Sequence, residues 1–132
     1  MTIESKTAQP PLFAQRMHVR AHTFVADVDE ALGGSDSGPG PHDYFDASLA
    51  ACKTLTAHWY AKRSGIALES VEVRIERDDS QERAGVYKLN VHMTYHGALT
   101  DTERQKLHAA VSRCPVHKLM TSSQVVIETA PL

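Results

Sequence analysis

The stretch Gly38–Gly65, GPGPHDYFDASLAACKTLTAHWYAKRSG, decides how this chain is read. A Gly/Pro loop leads into a long apolar segment, and one of the chain's two cysteines, Cys52, sits in its middle. From Phe45 to Ala61 the residues are mainly Ala, Leu, Thr, Trp and Tyr, with Asp46, Lys53 and His58 as the main polar breaks. Phe45, Ser48, Leu49, Leu55, Thr56 and Trp59 lie at helical spacing from Cys52, so its face is largely apolar on both sides. Ala47, Ala50, Ala51, Ala57 and Ala61 favour helix and let another element approach closely. Pro41 suits an early helical position and Gly65 a stop, with Lys62 and Arg63 in the last turn. The expectation is a mostly buried central helix that carries a thiol on its inner side, covered by the rest of the chain.

Upstream, residues 16–29 (RMHVRAHTFVADVD) mix β-branched, apolar and polar residues as half-buried strands do, with Met17, Val19 and Ala21 alternating against His18, Arg20 and His22. The turn Gly33–Gly40 follows directly and reads as a loop that shapes a site. Residues 1–12 are polar, end in Pro10-Pro11, and are expected to form a loose leader. Downstream, residues 68–78 alternate Val71, Val73 and Ile75 against Glu72, Arg74 and Glu76, and residues 86–96 alternate again. Together they predict an antiparallel hairpin. Thr100 with Glu103 three residues later gives a capping-box start to a second helix, which Pro115 interrupts beside Cys114. Val116–Met120 suits another turn or two of helix, and residues 124–129 (QVVIET) a final strand. Strands, long helix, two strands, helix and strand make an α+β domain, a single one over residues 1–132.

Composition narrows the function. A formal net charge of −2, without a dense Lys/Arg patch, gives no general attraction to nucleic acid or an anionic membrane. No apolar run reaches the length of a membrane span, and the N-terminal residues lack the order of a signal peptide. A cytoplasmic location is expected, where two cysteines seldom form a static disulfide. They are inert, metal-bound or redox-active.

A buried free cysteine often behaves as a small apolar group, which is the plain reading of Cys52 and Cys114. Against it stand their places on inward helix faces and the neighbours that tune thiols, Lys53 beside Cys52 and Arg113 and His117 beside Cys114. Cys52 lies too far into its helix for the N-terminal dipole to help, so a cation from elsewhere is needed, with Arg16 and Arg20 as candidates. His42, His58 and His117 could join the cysteines around zinc, yet no close-paired zinc spacing is present. Asp43, Asp46 and Glu103 read as carboxylates suited to helix N-termini. Nucleophile-elbow, Walker and dinucleotide-loop patterns are missing.

The pattern GG-x-D-x-GP-x-P-x-D over Gly33–Asp43, then LAAC (Leu49–Cys52), LESVEVRIE (Leu68–Glu76) and RCPVHK (Arg113–Lys118), resembles the OsmC/Ohr family of osmotically inducible and organic-hydroperoxide-resistance thiol peroxidases. The resemblance runs from about Ala26 to the C-terminus. It implies an OsmC-like fold, with an antiparallel sheet around the Cys-bearing helix, in an intertwined homodimer with sites at the subunit interface. It also implies that Cys52 is peroxidatic and Cys114 resolving, acting on an organic hydroperoxide and recycled by an external dithiol of lipoyl or thioredoxin type. No cofactor and no metal are implied. One departure stands out: His42, with Asp43 beside it, occupies the place of a family glutamate that pairs with an arginine, for which Arg20 is preferred over Arg16. The alternative reading is a non-catalytic OsmC-like protein that binds a small apolar ligand at the dimer interface.

Overall fold

In a computed structural model that describes all 132 residues, the elements follow the order β1 (Ile3–Thr7), β2 (Gln15–Val19), β3 (His22–Ala26), α1 (Pro41–Ser64), β4 (Leu68–Asp78), β5 (Lys88–Gly97), α2 (Asp101–Val111) and α3 (Pro115–Thr121). Two compact units are present, Met1–Phe45 and Asp46–Leu132.

In the first unit β1, β2 and β3 form an antiparallel meander, with Ser5 opposite Met17 and Met17 opposite Phe24. The expected loose leader is corrected here. Ile3–Thr7 pairs with β2 along its whole length, because Lys6 and its neighbours need only supply backbone donors and acceptors to an open strand edge. Arg20 takes φ +51° in the two-residue turn between β2 and β3, a conformation that a tight hairpin demands. Tyr44, in the first turn of α1, stacks at a tilt on Phe24 with ring centroids 5.4 Å apart and donates its hydroxyl to the Val25 carbonyl.

The glycine-rich turn is organised by Asp27, which the sequence reading passed over. Its buried carboxylate accepts from the Val28 amide (2.8 Å), the Ser35 and Ser37 amides (3.3 and 3.0 Å) and the Ser37 hydroxyl (2.6 Å). These bonds, led by that of the Ser37 hydroxyl, hold its carboxyl at about 2 against an ordinary 3.8. Gly34 packs so tightly here that a Cβ would collide with the Val28 carbonyl and stand 2.7 Å from Asp27 Oδ1.

The second unit carries the core. Ala57, Ala61, Tyr95, Leu107 and Val111 are buried together, with Tyr60, Ile66, Leu68, Val71, Met93 and Leu99 packed around them. β4 and β5 pair antiparallel, Val71 opposite Tyr95, Val73 opposite Met93 and Ile75 opposite Val91, as the alternation predicts. The Thr100–Glu103 capping box forms in both directions, and Pro115 opens α3.

Two expectations change in this unit. The buried ridge of α1 is Leu49, Lys53, Ala57 and Ala61 at steps of four, while Phe45, Leu55 and Trp59 on the Cys52 side are exposed. Small alanines let β5 and α2 close on that ridge; the larger side chains face away from it. Residues 124–129 form no strand, and Val125, Val126 and Ile127 are exposed. β propensity does not make a strand without a pairing partner, and this segment joins neither sheet. Asp46 also differs from its expected part, since it accepts from Tyr87 Oη (2.8 Å) and Arg77 Nε (2.6 Å) and so ties α1 to the β4–β5 hairpin. Burial first, and the Asp46 carboxylate second, push the Tyr87 hydroxyl up to about 12.

Candidate functional site

Cys52 projects from the middle of α1 and is half-buried; Cys114 is wholly buried in the junction between α2 and α3. Both are free thiols. Pro115 explains the junction, because it cannot continue α2 but suits the first position of α3. That break turns the chain so that the Val116 amide donates to Cys52 Sγ at 3.4 Å. Thr56 Oγ1 lies 4.0 Å from the same sulfur. Cys52 and Cys114 are 62 positions apart in sequence, and the Val116 contact lays the segment that follows Cys114 against Cys52.

The thiol of Cys114 is pushed up chiefly by burial. The Cys52 side chain adds to that push, while the His117 amide and the Lys53 charge oppose it. Lys53 is 4% exposed, and its Nζ donates to the Val111 carbonyl at 2.9 Å and lies 3.4 Å from His117 Nδ1. Its link to Cys52 by adjacency is thereby corrected. Neighbouring residues on a helix point in different directions, so Lys53 turns toward the α2–α3 junction. The sequence did carry a signal, because Lys53 falls on the i, i+4 ridge with Leu49, Ala57 and Ala61. Arg113, the other cation expected near Cys114, is exposed.

Of the remaining candidates, His58 is exposed on α1 in the second unit, and the others belong to the first. Arg20 occupies the exposed β2–β3 turn, and Arg16 is exposed on β2 opposite Val25. His42 and Asp43 are exposed in the first turn of α1, where Asp43 Oδ2 accepts from the Gly40 amide at 2.8 Å. That bond fits the helix-start part expected of Asp43. No three His, Cys, Asp or Glu side chains converge as metal ligands. No helix is long and apolar enough to cross a membrane.

Residues 34–130 match the family of OsmC-like proteins. The chain belongs to that family. Among solved structures similar to this OsmC-like protein is an OsmC-like protein from Mycoplasma pneumoniae, 20% identical, with a TM-score of 0.73 over 92% of this chain and 86% of that one. An organic hydroperoxide resistance protein OsmC from Legionella pneumophila is 21% identical, with a TM-score of 0.63 over 92% and 90%. The organic hydroperoxide resistance protein OhrB of Bacillus subtilis is 20% identical, with a TM-score of 0.55 over 92% and 90%. At these identities the likeness is one of fold. No curated protein matches the chain.

Proposed function

We propose that this OsmC-like protein is a thiol-dependent peroxidase that reduces organic hydroperoxides through Cys52 and Cys114. The observation that carries the reading is that the Val116 amide, two residues after Cys114, donates to Cys52 Sγ, so the segment bearing one cysteine lies against the other. The thiolate is the nucleophilic form of a cysteine. The Cys52 thiolate attacks the hydroperoxide O–O bond, an alcohol leaves, and a sulfenic acid remains on Cys52. Cys114 then displaces the hydroxyl and forms a disulfide, which an external dithiol reduces. The half-buried setting of Cys52 and the apolar residues along α1 suit an organic hydroperoxide better than hydrogen peroxide.

Arg20, His42 and Asp43 are assigned by family position to the support of the peroxidatic cysteine, with His42 in the place of the family glutamate. A second copy of the chain is the proposed partner, in an intertwined homodimer of single OsmC-like domains built around the Cys-bearing helix. The exposed apolar side chains of Leu55 (67%), Trp59 (66%) and Val125–Ile127 support it. A cytoplasmic site of action suits two free thiols.

A second reading, a non-catalytic protein that holds a small apolar ligand, is favoured by one observation: His42 stands in the place of the family glutamate. Thiol titration and intact mass, before and after one equivalent of cumene hydroperoxide, separate the two. Loss of both thiols with a Cys52–Cys114 linkage in the peptide map is the expected result. Cys52→Ser should abolish peroxide consumption, and Cys114→Ser should allow one oxidation and then stall. Two unchanged thiols in the folded wild-type protein would sink the peroxidase reading.

A further inference from the structure

A wholly buried thiol is a poor nucleophile unless something nearby favours its ionised form. Cys114 lies between Val111 and His117, which both meet Lys53 Nζ, and its own amide donates to the same Val111 carbonyl at 3.3 Å. Lys53 is the one buried cation of the chain. An isolated ammonium is costly to bury, so it must be held by hydrogen bonds. The Val111 carbonyl that accepts from Nζ at 2.9 Å closes α2, where the helix carries its partial negative charge. The second neighbour, His117 Nδ1 at 3.4 Å, can accept from the ammonium while that nitrogen is unprotonated. Neither holder is a carboxylate. They fix the ammonium without cancelling its charge, as a carboxylate would. That charge works against the upward push that burial exerts on the Cys114 thiol.

We infer that Lys53 is a positioning residue for the resolving step, keeping Cys114 available as a thiolate when Cys52 has become a sulfenic acid. The inference rests on the peroxidase reading above. In that step the Cys114 sulfur attacks the Cys52 sulfur, the S–S bond forms and the S–O bond breaks. Hydroxide leaves and takes up the proton that Cys114 released, so one water is lost. The hydroperoxide has already accepted the two electrons, and no further oxidant is consumed.

The test begins without peroxide. In Cys52→Ser protein, the thiolate ultraviolet absorbance reports Cys114, with the Cys52→Ser/Cys114→Ser protein as blank. Adding Lys53→Gln, which removes the charge but keeps a donor for Val111, should move the Cys114 titration to higher pH. An unmoved midpoint overturns the inference, whatever the chain does with peroxides. In the protein with both cysteines, Lys53→Gln should slow disulfide closure about tenfold at neutral pH and let dimedone trap the Cys52 sulfenic acid. If Cys52 is never oxidised while the Cys114 midpoint still moves, the peroxidase reading fails and the electrostatic pairing stands. Should Lys53→Gln fail to fold, Lys53→Met removes the same charge with a side chain suited to a buried ridge, and in it the Cys114 midpoint should likewise move to higher pH. An unmoved midpoint there refutes the inference as firmly.

Discussion

Leu107 is the residue whose truncation tests the packing behind the site most directly. It is 0% exposed and buried with Ala57, Ala61, Tyr95 and Val111. It lies one turn before Val111, the residue that receives Lys53. Leu107→Ala removes an isopropyl group, and at about 0.8 kcal/mol per buried carbon the transfer loss alone is about 2.4 kcal/mol. Relaxation around the site is limited, because Ala57 and Ala61 are held in the interior of α1 and offer no long side chain to swing into the gap. A residual cavity therefore adds to the loss, for a total of about 3–4 kcal/mol. Against the 5–15 kcal/mol expected of a domain, that is a large fraction. The assay is urea unfolding followed by far-ultraviolet circular dichroism, with the midpoint expected to fall and the slope to stay constant. A loss below about 1 kcal/mol at unchanged slope would refute the assignment of Leu107 to a tightly packed core.

Asp27 gives the glycine turn a pH dependence. Its folded carboxyl titrates at about 2 rather than 3.8, so its contribution is complete above the ordinary value and is lost as pH falls through the folded one. Amide exchange in Ser35–Ser37 should thus accelerate between about pH 4 and 2 beyond what the solvent pH explains, and Asp27→Asn should remove that step. Equal acid sensitivity in both proteins would count against the carboxylate as the latch. Leu55→Glu places a charge on the exposed Cys52 side of α1 and should cost a lone chain less than about 0.5 kcal/mol. In the proposed homodimer it should shift sedimentation toward monomer. Unaltered dimers would remove this face from the interface.

The predicted elements that match the structure share a cause: each is specified by residues next to one another in sequence. The α1 boundaries at Pro41 and Gly65, the β4–β5 alternation and the Thr100–Glu103 box are all local devices. The failures were decided by distant partners. Ile3–Thr7 has no pattern of its own and becomes a strand because β2 offers an edge. Val125–Ile127 has a strong β pattern and stays irregular, joining neither sheet. The buried side of α1 followed the same rule, since size complementarity to β5 and α2 chose the alanine ridge over the larger apolar residues.

The site obeys this division as well. The cysteines were legible because a thiol inside an apolar helix and a Cys-Pro pair are unusual where they stand. The contacts around them were not, because these arise between residues 53 and 111–117. Buried charge is costly unless the fold supplies its partners, so Lys53 could not stand on the inner ridge of α1 unless α2 ended beside it. The same α2–α3 break that leaves the Val111 carbonyl in place for Lys53 also turns the Val116 amide toward Cys52. One proline-marked junction thus reaches both cysteines: the Val116 amide meets Cys52 Sγ, and the Val111 carbonyl that accepts from the Cys114 amide also holds the Lys53 ammonium. A substitution at Pro115 would disturb both sulfurs together, whereas one at Lys53 would act on Cys114 and spare the Val116 amide at Cys52. That difference lets the two steps of the proposed chemistry be separated within a single chain.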